Sequence, residues 1–190
     1  MPPMSYDPTT HLLLTPRDDE APARAERLRE LGLGDSPLPE LDAFARRLAR
    51  RTAAPYAMVN FIDRQRQYFA GLYTPASDRA EEADEAPPDS QVGRTMTRDQ
   101  GYCPHVIVRR KALVLEDVRD YPRFAGNPVV DEIGVRSYLG APVIDRTGTA
   151  LGTVCVVDRE PRPWGRPGLE TIKAVAAELA ERLQVREGTR

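Results

Sequence analysis

Two pairs of strand-length apolar runs, each pair folded back through a short polar turn, constrain this chain more than any other feature of it. Tyr56-Ala-Met-Val-Asn-Phe-Ile62 reads as a strand, Asp63-Arg-Gln-Arg66 as a turn, and Gln67-Tyr-Phe-Ala-Gly-Leu-Tyr73 as its partner. Val135–Ile144 and Ala150–Val157 make the second pair. They are joined by Asp145-Arg-Thr-Gly-Thr149, with Gly148 where a hairpin loop needs positive φ. Hairpins of this kind commit a chain to an antiparallel sheet.

Before Pro55 the apolar period is helical. One helix is predicted from Asp18 to Leu33, closed by Gly32 and Gly34, and a second from about Ser36 to Ala53. The second sets Leu41, Phe44, Ala45 and Leu48 on one face, and Arg46, Arg47, Arg50 and Arg51 on an opposite, solvated face. Farther along, Cys103–Arg110 reads as a short helix, Ala112–Leu115 as a buried strand and Asp117–Asn127 as an irregular connection. Pro128–Gly134 has room for one helical turn, and Gly168 to about Arg186 is the last helix. The sum is an α+β fold: a central antiparallel sheet flanked by helices, two of them N-terminal and one C-terminal. The expected organisation is a flexible tail over residues 1–17, N-terminal helices over 18–54 packing on the domain, the domain itself over 55–186, and a tail over 187–190. Within it, about 74–101 reads as an acidic loop insertion, because Asp78, Glu81, Glu82, Asp84, Glu85 and Asp89 surround almost no large apolar residue.

Composition narrows the function classes. A chain of 190 residues buries a core without staples, and two cysteines make no disulfide framework. Met1–Arg17 holds no basic-then-apolar leader and no apolar run is long enough for a membrane span, so the expected compartment is a reducing cytosol with no membrane partner. A net charge of −2 carries no nucleic-acid footprint. Lys111 and Lys173 are the only lysines among 27 basic residues, a bias that points to a high-GC bacterial genome. No phosphate loop, Ser/His/Asp order or zinc spacing is present, so the expectation is no catalysis, no metal and no cofactor.

Four blocks, in order, resemble the GAF family of sensory domains from Tyr56 to about Leu183. They are Met58-Val-Asn-Phe-Ile-Asp-Arg-Gln-Arg-Gln-Tyr-Phe69, Gly101-Tyr-Cys-Pro-His105, Val114 to Pro128 with its Asp-Tyr-Pro-Arg-Phe-Ala-Gly-Asn-Pro run, and Ser137-Tyr-Leu-Gly-Ala-Pro-Val143 followed by Leu151–Asp158. The resemblance implies a GAF/PAS-like sheet with the 117–128 excursion roofing a cavity that takes a small molecule in family members. It nominates Tyr102, Cys103, His105, Asp117, Phe124, Asn127, Tyr138 and Cys155 as ligand-binding candidates. Gly140 and Pro142, inside a strand, independently suggest a bulge or something approaching the backbone. Pro104 separates Cys103 from His105, unlike bilin-attaching members, and the cyclic-nucleotide signature lacks its basic and aromatic partners.

Cys103 and Cys155 each read first as small core residues, and second as reactive thiols. Asp117, Asp120 and Arg123 read as a tie for their loop through backbone hydrogen bonds and a local ion pair. On the last helix Leu169, Ile172, Ala176, Leu179 and Leu183 follow 3-4-3-4 spacing, which suits either a dimer seam between two copies or the domain's own sheet. The sequence thus predicts a non-catalytic sensory module that binds an unidentified small molecule, acts on a signalling protein in trans and pairs as a homodimer. The alternatives are an interaction module with a self-filled pocket, and a thiol redox enzyme or sensor of the free methionine sulfoxide reductase kind.

Overall fold

A computed structural model describes residues 6–7, 12–13, 15–82 and 93–189 of the chain. Most of the tail expected over 1–17 lies outside the described residues, as do 83–92 of the acidic insertion and Arg190. In the tail, β1 (Tyr6–Asp7) pairs antiparallel with β2 (Leu12–Leu13).

The remaining elements run α1 (Ala21–Leu31), α2 (Pro39–Thr52), β3 (Tyr56–Ile62), β4 (Arg66–Tyr73), α3 (Pro75–Glu82), β5 (Thr95–Thr97) and α4 (Cys103–Arg109). They continue with β6 (Leu113–Leu115), a 3₁₀ turn (Val118–Asp120), α5 (Pro122–Ala125), α6 (Pro128–Glu132), β7 (Ser137–Ile144), β8 (Ala150–Asp158) and α7 (Gly165–Gly188). Six strands form one antiparallel sheet in the order β5-β4-β3-β8-β7-β6. The two hairpins meet side by side, β3 against β8, and the architecture is α+β.

Alternation along the strands divides the core in two. Ala57, Val59, Phe61, Leu139, Ala141, Val143, Val154 and Val156 face the layer formed by α1, α2 and α7. Met58, Ile62, Phe69, Tyr138 and Cys155 face the opposite layer, covered by α4 and the 118–135 segment. Glycine permits the closest helix contact: a side chain on Gly71 would lie 2.4 Å from the Leu41 carbonyl oxygen, so α2 sits directly on β4.

Three features depart from the sequence reading. The acidic insertion is partly regular: α3 covers 75–82, where Asp78 accepts the Tyr73 hydroxyl at 2.6 Å and lies 3.5 Å from Arg46 of α2. Composition missed this because the helix is held by polar contacts rather than by burial. Thr95–Thr97 is an edge strand, pinned where the Gln67 amide donates to the Thr97 and Gln100 carbonyls at 2.9 and 2.6 Å. The last helix starts earlier, at Gly165, and runs through residue 188, where a tail was expected.

Its heptad-spaced seam is also taken up. Ile172, Ala176, Leu179 and Leu183 are buried within the single chain, in the core layer that covers the sheet, and Leu169 is half-buried. Antiparallel strands present a broad apolar face, and this face occupies the stripe that a second copy would have needed.

The N-terminal helix is fastened by a buried charge. Arg24, fully buried, donates to the Ala150 carbonyl at 2.5 Å and to Asp18 at 2.7 Å, and Arg98 reaches the same carboxylate. This links α1 to β8 and to the turn after β5.

Candidate functional site

Period-2 placement sends Tyr138 of β7 and Cys155 of β8 to the face away from the long helices, where α4 brings Tyr102 and Cys103 down onto them. Left-handed residues bound α4, with φ +75° at Gly101 and φ +54° at Arg110, so its length and direction are fixed. The aromatic rings interlock edge to face. Tyr102 lies 5.5 Å from Phe124 and 5.4 Å from Tyr138, and His105 lies 5.1 Å from Phe124.

The candidates divide into three groups. Tyr102, Cys103, Tyr138 and Cys155 line a cavity of about 60 Å³ between this sheet face and its cover. His105 and Phe124 are buried behind Tyr102 and support its ring rather than the cavity wall. Asn127 and Asp117 are structural. The Asn127 side chain accepts from the Gly101 N–H at 2.9 Å, donates to the Gly101 carbonyl at 2.8 Å and caps α6 through the Val129 N–H. Asp117 caps the 3₁₀ turn and pairs with Arg136 at 2.5 Å, so the expected tie is made across to the segment before β7 rather than to Arg123. Arg136 holds the Asp117 carboxyl below the usual carboxylate range.

The rest of the wall is largely apolar and sulfur-rich, with Gln67, Asp158 and Arg159 also among its residues. Met58, Phe69, Met96, Val129, Val135 and Val157 contribute to it, and the sequence reading nominated none of them as site residues. Two of them were findable, because strand alternation puts Met58 and Val157 on the face of Cys155. The approach suspected at Gly140 is real but internal. A side chain there would lie 2.2 Å from the Tyr138 hydroxyl, so the chain's own ring fills that space. Along β7 the register shift falls instead between Val143 and Ile144, and a second lies in β3 between Val59 and Asn60. Pro142 lies past the end of β6, whose last partner is Gly140, so its missing N–H breaks no ladder on that side.

At the inner end of the cavity the two cysteines meet. Their Sγ atoms lie 3.8 Å apart, and Cys103 Sγ lies 3.2 Å from the Tyr138 hydroxyl and 3.1 Å from the donating Thr153 hydroxyl. Hydrogen bonding from Cys155, together with that from Thr153, Tyr138 and Asn60, outweighs burial and lowers the Cys103 thiol. The same contact and burial push Cys155 up, and burial also holds Tyr138 and Tyr102 protonated. The arrangement is therefore one thiolate-prone sulfur, surrounded by donors, beside one protonated thiol. Among the described residues no group of three or more His, Cys, Asp or Glu is placed to hold a metal ion.

Comparison with known proteins gives a consistent setting. A family model described as GAF domain matches residues 37–183, so α2, which the sequence reading set before the domain, falls inside the match. A cyclic di-GMP phosphodiesterase of Pseudomonas aeruginosa is 30% identical over 151 residues, covering 77% of this chain. The chain spans only 23% of that relative's length. The GAF domain of an Acinetobacter phosphoenolpyruvate-protein phosphotransferase superposes with a TM-score of 0.58 at 16% identity, covering 91% of this chain and 98% of that one. Free methionine-R-sulfoxide reductase from Neisseria meningitidis does so with a TM-score of 0.60 at 12% identity, covering 93% and 97%. At these identities the structural likeness is one of fold.

Proposed function

The chain belongs to the GAF family, and from that premise we propose that it is a non-catalytic sensory module whose input site is the cavity beside Cys103 and Cys155. The observation that carries this reading is the cavity itself: partly open, set between the sheet and the covering 96–103 and 129–135 segments, largely apolar in lining, and about 60 Å³ in volume. Drug-sized ligands occupy roughly 300–1,000 Å³. The ligand class is therefore a small, uncharged, largely apolar molecule. Its presence is transmitted through Gly101, which sits on the cavity wall and is gripped on both sides by Asn127. A signalling protein that reads the state of this cover is the output. The match to under a quarter of a cyclic di-GMP phosphodiesterase supports a regulatory role beside signalling enzymes and does not make this chain a phosphodiesterase.

A second reading draws on the interlocked rings of Tyr102, Phe124 and Tyr138: an interaction module whose pocket is filled by its own side chains. Native mass spectrometry of protein purified from its host separates the two. The sensory reading expects a bound small mass that denaturation releases and that Val157→Phe, which fills the cavity, abolishes. A folded wild type that carries no added mass from any growth condition supports the filled-pocket module instead.

A further inference from the structure

Beside the cavity stands a pair of thiols that neither the fold nor a small-molecule site requires. Cys103 opens α4, Cys155 lies mid-strand in β8, and 52 residues of sequence separate sulfurs that are 3.8 Å apart. Two buried cysteines of purely structural role have no reason to meet sulfur to sulfur, nor to gather hydroxyls around one of them. Here the Thr153 and Tyr138 hydroxyls, at 3.1 and 3.2 Å, face Cys103 Sγ, and both sulfurs border the cavity. We propose that Cys103 and Cys155 form a reversible, peroxide-driven disulfide that acts as a redox input to the same cover. The inference rests on the reading of this cavity as the input site and adds a signal to it.

The chemistry balances with hydrogen peroxide as oxidant. The Cys103 thiolate attacks one peroxide oxygen; an S–O bond forms, the O–O bond breaks, and the departing hydroxide takes a proton to leave as water. Cys103, now a sulfenic acid, has lost two electrons to the peroxide. Cys155 then attacks the Cys103 sulfur. An S–S bond forms, the S–O bond breaks, and the departing hydroxide takes the Cys155 proton to leave as a second water. A dithiol reverses the change by exchange. Hydrogen peroxide is small and neutral, so an apolar cavity of about 60 Å³ admits it without the cost that a charged oxidant would meet.

Geometry also says where the signal goes. Bond formation draws the sulfurs from 3.8 Å to about 2.05 Å. The β8 strand is paired on both sides, to β3 and β7, so the start of α4 moves instead. Gly101 precedes it at φ +75°, held by Asn127 at 2.9 and 2.8 Å, and Asn127 in turn caps α6.

The test uses the full chain, reduced, freed of reductant and exposed to hydrogen peroxide. Thiols are then alkylated under denaturing conditions and the intact mass read. The expected product has lost two hydrogens, resists alkylation at both cysteines, yields a linked Cys103–Cys155 peptide within one chain, and reverts with dithiothreitol. In Cys155→Ala, Cys103 gains oxygen instead of a link. In Cys103→Ala, Cys155 oxidises about ten-fold more slowly or less, as befits a protonated thiol. Thiols that stay alkylatable in folded wild type under excess peroxide, oxygen addition without a link, or links only between chains would each overturn the proposal, and none of these readings needs a variant to fold. A disulfide in a chain that never carries a bound mass upholds the redox input and sinks the ligand reading. Bound mass with inert thiols does the reverse.

Discussion

The Tyr138 hydroxyl stands 2.2 Å from the place where a side chain on Gly140 would begin, two residues along the same strand. The ring lies down over its own backbone, and that posture lets its hydroxyl reach Cys103 Sγ at 3.2 Å. Glycine at 140 is thus a condition of the site's geometry. Gly140→Ala is expected to lower stability by about 1–3 kcal/mol through overpacking. It should also displace the Tyr138 ring, seen as a changed near-ultraviolet circular dichroism spectrum. An unchanged spectrum and denaturation midpoint would show that the ring has room to move.

The donors around Cys103 govern its ionisation. Thr153→Val keeps the shape and removes one hydroxyl that donates to the sulfur at 3.1 Å. Cys103 should then titrate at higher pH, so the midpoint of its alkylation rate by iodoacetamide rises. A midpoint unmoved by the substitution would mean that the hydroxyl does not stabilise the thiolate.

Buried charge makes stability depend on pH. Burial pushes the Asp18 carboxyl up, but Arg24 and Arg98 outweigh it and leave the group below its ordinary value of 3.8. A carboxyl depressed in the folded state contributes stability above its unfolded value, and that contribution fades as pH falls through the folded one. Urea midpoints of the wild type should fall as pH drops below about 3.8, and Asp18→Asn should flatten that fall. Arg24→Ala, which strands Asp18 and the Ala150 carbonyl, should cost about 3–5 kcal/mol at neutral pH.

The last helix is a load on the domain's own core. Leu179→Glu puts a carboxylate at a fully buried position against the sheet. Lost burial and an unpaired charge together should remove most of a typical stability of roughly 5–15 kcal/mol, and circular dichroism should report an unfolded chain. A folded monomer obtained from a dimeric wild type would instead return this seam to a dimer interface.

How far the sequence reveals all this depends on the kind of contact. Both hairpins are legible because alternation and turn chemistry act over a few residues: Gly148 takes φ +82° where its turn needs it. The strands β3 and β7 are equally local in origin. By contrast, α3 and β5 are held by side-chain partners on other elements, Asp78 on Tyr73 and Arg46, Gln67 on the 97–100 backbone, and no periodicity reports them. Arg24 sits in a helix that reads as amphipathic, yet its charge is buried because Asp18 and a strand carbonyl await it. The meeting of Cys103 and Cys155 follows only from the register of β8 and the drop of α4 onto it. Residue types nominated the two thiols as a pair of candidates, and topology set their sulfurs against each other.

An accessible apolar cavity beside that pair is the claim on which the account turns, and xenon is its most direct probe, since small apolar cavities take it up. Nuclear magnetic resonance spectra of the folded chain under xenon pressure should show shifts concentrated at Met96, Gly101, Cys103 and Cys155, and Val157→Phe should erase them. Spectra unchanged by xenon, or shifts scattered away from these residues, would contradict the account and leave a domain whose pocket is filled by Tyr102, Phe124 and Tyr138.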